Sequence, residues 1–228
     1  MKILALETSG KSGSVALLEG QQPETKLIGE IELPSETRSA QSLVPTLDHL
    51  LKQNDWQTSE LELICVCTGP GSFTGLRVGV TTAKTLAYAL GVPLVEVNTL
   101  AALAVGVSVE FERLWCVLDA QRQELFTCCF NVNDSLTQQT QQNGELLSVE
   151  TFLAKLEAGD FVHGPAVEKL SERLPSDVRI MEANGNQPRA ADVGTLGYQR
   201  FLRGETVDAL QLVPKYGRRS AAEEKAEA

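Results

Sequence analysis

Thr68-Gly-Pro-Gly-Ser-Phe-Thr-Gly-Leu-Arg-Val-Gly79 joins two stretches of different periodicity, and that junction decides the fold. Residues 61–67 before it are a short apolar run rich in β-formers. In 74–90 after it, apolar residues recur every three or four positions until Gly91 and Pro93 stop them. This predicts strand, glycine loop and helix in succession. Such a loop aims backbone N–H groups and the positive end of a helix dipole at one point, so Gly69, Gly71 and Ser72 are candidate phosphate-facing residues. The same stretch has a second reading. Gly75, Gly79, Ala83 and Ala87 fall four apart, and residues at that spacing form one helix ridge, here small enough to let another backbone approach closely.

The phosphate reading lacks several parts. The P-loop pattern needs a Lys-Ser/Thr pair at the helix start, where Leu76-Arg77 stands. Gly69, Gly71 and Gly75 are spaced one residue too far for G-x-G-x-x-G. A nucleophile elbow around Ser72 would need glycine where Pro70 and Thr74 are found.

With 228 residues, 43% of them apolar, the chain reads as an ordinary soluble globule of one large domain or two small ones. It has no run of eighteen apolar residues, and Glu7 interrupts the first apolar run too early for a signal-peptide core. A cytoplasmic location and no membrane contact are expected. Cys65, Cys67, Cys116, Cys128 and Cys129 lie in strand-like runs and read as small buried hydrophobes of a reducing compartment. Cys65 and Cys67 share one strand face, but no second C-x-x-C half accompanies them and His49 and His163 are distant, so no metal site is expected. A net charge of −10 argues against a primary grip on nucleic acid, which needs a basic surface to release counterions. The acid-rich 223–227 reads as a solvated tail.

In chain order, 2–6 is a strand ending at Glu7-Thr8-Ser9-Gly10, 14–18 returns at once, and 26–33 alternates as a third strand closed by Pro34. Ala40, Leu43, Val44, Leu47, Leu50 and Leu51 then make a helical stripe, in which Pro45 is tolerable only near the first turn or as a kink. After the glycine loop and its helix come a strand at 94–97 and a helix capped by Asn98-Thr99 through 105. The order βββαβαβα begins again at 114–118, which reaches Asp119 before 124–130 returns. A third strand around Leu147, a helix over 148–156, a strand at 161–162, a helix over 166–174, a strand at 178–181 and a helix over 190–202 complete a shorter copy. The expected division is a first domain over 1–103, completed by the helix near 190–204, and a smaller second domain over 104–188. The 205–228 remainder is an extended segment without a clear partner, followed by the acidic tail.

Two such halves, the second eroded and each with an acid after its first strand, resemble the duplicated α/β plan of the actin, sugar kinase and Hsp70 ATPase (ASKHA) fold. There the two hairpins grip nucleotide phosphates and metal between the halves. The chain also resembles a particular family. Leu4-Ala-Leu-Glu-Thr8, the glycine stretch 68–79, Val97-Asn-Thr-Leu-Ala-Ala-Leu103, Leu118-Asp-Ala-Gln-Arg-Gln-Glu-Leu-Phe126 and Pro214-Lys-Tyr216 together look like the TsaB family, formerly YeaZ. The glycine stretch is the specific part, and the match runs from the first residue to about Tyr216.

The resemblance implies a non-catalytic subunit of the bacterial machinery that forms N6-threonylcarbamoyladenosine beside the anticodon of tRNAs reading codons that begin with A. It implies a TsaD-like catalytic paralogue as partner and a TsaE-like ATPase recruited by the pair. ATP and metal then belong to those partners, and tRNA is reached only through the complex. The catalytic paralogue holds metal with a helix His-x-x-x-His pair plus an acid. This chain has no such pair, and Ser39 stands where many relatives keep a single His. Glu7 replaces the more usual Asp, which leaves Glu7, Thr8 and Asp119 as vestigial phosphate-facing residues, unless Glu7 and Asp119 are only strand-end acids making turn hydrogen bonds.

No catalytic residue is expected. The rival function is a small ATP-binding enzyme of the actin-like fold with Glu7 and Asp119 at a nucleotide site. A metallopeptidase would need a metal that nothing here obviously holds. Ala40, Leu43 and Leu47 on one helix and Gly75, Gly79, Ala83 and Ala87 on the other are the expected partner surface, facing the paralogue or a second copy over about 800 Å² per partner.

Overall fold

The computed structural model describes residues 1–34, 39–107, 111–131, 144–181 and 186–218. Strands β1 (Lys2–Glu7), β2 (Ser14–Gln21), β3 (Glu24–Glu32), β4 (Leu63–Gly69) and β5 (Leu94–Asn98) form a sheet in the order β3-β2-β1-β4-β5. Strands β6 (Arg113–Asp119), β7 (Glu124–Asn131), β8 (Glu145–Ser148), β9 (Phe161–His163) and β10 (Arg179–Ile180) form a second, in the order β8-β7-β6-β9-β10. In each half the first strand pairs antiparallel with the second and parallel with the fourth. The halves are therefore topological copies, as the sequence order implies.

The helices follow the same rule. In the first half α1 (Ser39–Gln53), α2 (Phe73–Leu90) and α3 (Thr99–Val105) come after β3, β4 and β5. In the second, α4 (Val149–Lys155), α5 (Val167–Leu170) and α6 (Ala190–Leu202) come after β8, β9 and β10. Erosion of the second half falls on its last three strands, which have 4, 3 and 2 residues against 9, 7 and 5 in the first.

Local chemistry sets most boundaries. Both β1 and β4 are buried almost throughout because helices cover both faces of the first sheet, which is why they read as continuous apolar runs. The Asn98 side chain accepts hydrogen bonds from Leu100 and Ala101 N–H at 2.8 and 3.3 Å and starts α3. Gly91, at φ 67°, ends α2 in a left-handed cap. Two expectations change. The helix expected over 166–174 stops at Leu170, after which Arg173 N–H bonds back to Leu170 in a turn. Pro45 sits inside α1, beyond its first turn, on the exposed side, where water can serve the carbonyl it leaves without a partner.

Three apolar clusters result. Helices α1 and α2 cover one face of the first sheet with Leu43, Leu47, Leu50, Leu51, Val80, Ala83 and Ala87, and Leu212 from the C-terminal segment joins them. Helices α3 and α6 lie on the other face, and that cluster runs on without a break into the second sheet through Leu114, Cys116 and Phe130. A smaller cluster around Phe152 and Trp115, whose rings meet edge to face at 5.6 Å, serves the second lobe alone. Burial pushes all five thiols up, Cys67 and Cys128 to about 12. Those of Cys65 and Cys116 are wholly buried, so the cysteines act as core-filling hydrophobes.

The second lobe depends on one buried acid. Asp160, 2% exposed, accepts from Trp115 Nε1 at 3.0 Å and Glu157 N–H at 2.9 Å and lies 3.1 Å from Arg113 Nε. Removing it strands several donors in an apolar setting. Asp160→Ala is expected to cost about 2–3 kcal/mol, read from the urea midpoint with Trp115 fluorescence as the probe.

Candidate functional site: glycine track, facing hairpins and C-terminal strap

The glycine stretch is folded onto its own chain. Ser72 caps α2 by accepting the Gly75 N–H at 3.3 Å, and its own N–H donates to the Ser9 carbonyl at 2.7 Å. A Cβ on Gly75 would collide with the Thr8 carbonyl oxygen, one on Gly79 with Thr8 Oγ1, and one on Gly71 would stand 2.5 Å from the Ser9 carbonyl oxygen. On Gly69, already at φ 122°, it would meet the Lys215 carbonyl oxygen. Each glycine thus leaves room for the end of β1 or for the C-terminal segment.

That placement corrects the expected partner surface. Gly75, Gly79, Ala83 and Ala87 are buried inside the first lobe, and so are Leu43 and Leu47, because the apolar stripes of α1 and α2 cover the first sheet. Of that set Ala40 alone is exposed. The phosphate reading is weakened by the same contacts. Gly69, Gly71 and Ser72 pack against residues 9 and 215 of their own chain, and the Ser72 N–H already serves Ser9.

The acid of the first hairpin lies on the opposite side of β1 from α2. Glu7 is fully buried, and burial raises its pKa to about 7 although Ser9 donates to Oε1 from its backbone N–H at 2.6 Å and from its hydroxyl. Glu30 adds a like charge. Glu7 Oε2 and Thr8 Oγ1 have no hydrogen-bond partner among the described residues. The acid of the second hairpin is different. Asp119 is partly exposed; burial would raise its pKa, but the Lys169 ammonium, the Gln121 N–H and the charge of Lys11 together hold it below the usual range. Lys11 belongs to the β1–β2 turn, so the two hairpins face each other across the cleft between the lobes. Asp119 is not among the charges that act on Glu7, and the structure gives no contact between these two acids. His49 is exposed, and buried His163 bonds the Met181 carbonyl through Nδ1 at 3.1 Å. Among the described residues no three His, Cys, Asp or Glu side chains converge as a metal site would require.

The part that sequence reasoning missed is the C-terminal segment 205–218, expected to lack a partner. Val207 bridges to Leu94, and the Lys84 ammonium donates to the Leu210 and Leu212 carbonyls at 3.2 and 2.7 Å. Lys215 N–H bonds Thr68 at 2.7 Å. The Tyr216 ring stacks on Phe73 with centroids 3.8 Å apart, and Arg77 Nε donates to the Tyr216 hydroxyl at 2.9 Å. Arg218 then reaches the second lobe, where it donates to the Ala120 carbonyl at 2.9 Å and pairs with Glu124. The available signal was Pro214-Lys-Tyr216 among the family-like motifs. Its pairing with Phe73 and Arg77 spans more than a hundred residues and has no local periodicity. Arg219 and the acidic tail lie outside the described residues.

Two α/β lobes of one topology, a cleft between their first hairpins and an acid at each hairpin define the actin-like, or ASKHA, class of protein. Comparison with known proteins narrows this. Residues 33–180 match the family described as TsaD: tRNA N6-adenosine threonylcarbamoyltransferase. The tRNA threonylcarbamoyladenosine biosynthesis protein TsaB of Bacillus subtilis (strain 168) is 30% identical over 233 residues, covering 99% of this chain and 97% of that protein. The protein of the same name from Escherichia coli (strain K12) is 25% identical over 97% of this chain and 96% of its own length. Among solved structures, YeaZ from Pseudomonas aeruginosa superposes with a TM-score of 0.77 at 28% identity, covering 94% of this chain and 99% of that one. The chain belongs to the TsaB family.

This geometry sets the outcome of three substitutions. Gly75→Ala gains about 1 kcal/mol of helix propensity but forces a methyl into the Thr8 carbonyl, and the net loss is expected to be about 1–3 kcal/mol in the denaturant midpoint. Gly79→Leu is expected to fail to fold by circular dichroism. Glu7, whose folded pKa is raised above that of the unfolded chain, stabilises the fold fully below about pH 4.5 and loses that contribution as pH rises through about 7. The loss is on the order of 3 kcal/mol. Glu7→Gln removes it, so the stability difference between variant and parent should widen from pH 5 to about 7 and level off above that in pH-resolved urea titrations.

Proposed function

We propose that this chain works in the formation of threonylcarbamoyladenosine in tRNA as a partner subunit without catalysis of its own, paired with a TsaD-like paralogue. Relatives that match it over nearly their whole length carry the name of that pathway. The observation that carries the non-catalytic part is the inward use of the phosphate-facing elements. The Ser72 N–H is bonded to Ser9, Glu7 is a buried acid half-neutralised near pH 7, and Asp119 is held by Lys169. Among the described residues, Glu7 and Asp119 therefore do not form a pair of carboxylates facing a common ligand.

ATP and metal then belong to the partners, among them a TsaE-like ATPase recruited by the pair. tRNA is reached through the complex, since thirty acids outnumber twenty bases in this chain. The partner-facing surface in this proposal is the outward side of α1 and α2, where Ala40 is exposed and Val44 and Tyr88 are 55% and 70% exposed. A second copy would compete for the same surface when the chain is alone, and the function suits a cytoplasmic protein.

Reconstitution tests the proposal. Modified nucleoside is expected from tRNA, ATP and a threonylcarbamoyl donor only when this chain joins the TsaD-like and TsaE-like proteins. The chain alone should give no product and no ATP turnover. Tyr88→Asp is expected to leave circular dichroism unchanged and weaken pairing by about tenfold or more. ATP hydrolysis by the isolated chain, lost in Glu7→Gln or Asp119→Asn, would establish the rival enzyme reading instead.

A further inference from the structure

The strap 214–218 crosses from one lobe to the other within a few residues, and the crossing point is sharply defined. Lys215 and Tyr216 are held by the first lobe, through the Thr68 carbonyl, the Glu96 carboxylate at 2.8 Å and the Phe73 ring. Arg218 is held by the second lobe. Between them Gly217, at φ 69°, lies where Pro70 and Phe126 meet, and a Cβ there would stand 2.7 Å from the Phe126 ring and 3.1 Å from Pro70. One glycine therefore joins the glycine loop of the first lobe, the β7 strand of the second and the strap.

The partners of Arg218 are also informative. Ala120 and Glu124 are the two ends of the β6–β7 turn, joined by the Ala120 N–H to Glu124 carbonyl bond at 2.9 Å. Between them Gln121, Arg122 and Gln123 all have positive φ, at 65°, 54° and 60°, a conformation that three successive non-glycine residues adopt only when their surroundings impose it. The Gln121 N–H to Asp119 bond at 2.9 Å and the Val149 N–H to Gln123 bond at 3.0 Å supply part of that constraint from within the second lobe. Arg218 supplies a part that comes from the other lobe's strap.

We infer that 214–218 is a latch: with Tyr216 seated on α2 and Arg218 clamped across the ends of the β6–β7 turn, it holds the two lobes together at the cleft and fixes the left-handed turn. The lobes are already joined behind the cleft by the continuous cluster under α3 and α6. Release at Arg218 therefore opens the cleft mouth without dismantling either lobe. Release at Arg218 also loosens Gly217, which packs against Pro70 of the glycine loop and Phe126 of β7, so the glycine loop and the β6–β7 turn gain mobility together.

Hydrogen exchange on the full chain, resolved by residue, tests the latch in Arg218→Ala and, as a milder change that keeps the arginine, in Glu124→Gln. In both, exchange in 68–72 and in 120–124 is expected to speed by about tenfold together, with β1, β4 and the middle of β6 changing by less than about twofold. Unchanged exchange in either segment overturns the latch. Faster exchange spread evenly through both sheets also overturns it, since the contact would then be one more contribution to global stability. If Arg218→Ala fails to fold, Glu124→Gln decides by the same pattern.

Discussion

The close approach of Thr8 and Ser9 to α2 is the constraint on which the rest of the molecule depends. The end of β1 passes so near the first turns of α2 that positions 71, 75 and 79 admit no Cβ, and the same loop leaves none at 69 for the strap. Backbone against backbone at this range gains dispersion contacts from both sides, and it fixes the helix along and across the sheet in one step. Once α2 is fixed there, its apolar stripe lies over Leu4, Leu6, Ile64 and Val66, and α1 fits beside it over Val15 and Leu17. A glycine-rich signature that suggests a ligand cradle is here a track for the chain's own first hairpin.

The duplication gives two hairpins of one design, and their acids have diverged in charge state. Both end the first strand of a sheet, and both are reached by an N–H two residues on. Among the described residues no cation acts on Glu7 and Glu30 adds a like charge, so burial governs it. Burial also pushes Asp119 up, but the hydrogen bonds from Lys169 and the Gln121 N–H, with the charges of Lys169 and Lys11, together outweigh it and hold Asp119 low. The asymmetry separates this arrangement from a site in which two carboxylates act on one ligand. It shows how equivalent positions in a repeated fold acquire unlike chemistry through their neighbours.

Much of the architecture was legible in the sequence because it is carried by local period. Alternation in 26–33, the three-to-four spacing after Thr74 and the cap at Asn98 each fix an element within a few residues. Order alone then exposed the duplication. The direction of the small ridge was not legible, because a ridge of glycines and alanines looks the same whether a partner or the chain's own strand lies on it. The strap was illegible for a different reason: Tyr216 and Phe73, or Arg218 and Glu124, are joined only by the tertiary fold, and an extended segment carries no period. The four-residue α5 fell short of its expected length because apolar spacing over 166–174 does not reveal where turn bonds replace helical ones.

The cysteines give this fold an unplanned property. A thiol that burial keeps protonated reacts with an alkylating reagent only during the moments when its strand is exposed to water. Cys65 and Cys67 lie on β4 between β1 and β5 of the first sheet, and Cys116 and Cys128 face each other across β6 and β7 of the second. Each lobe therefore carries its own sulfur stopwatch, built from native residues. Labelling at Cys65 and Cys67, set against labelling at Cys116 and Cys128, reads how often the shared core opens on the side of each sheet.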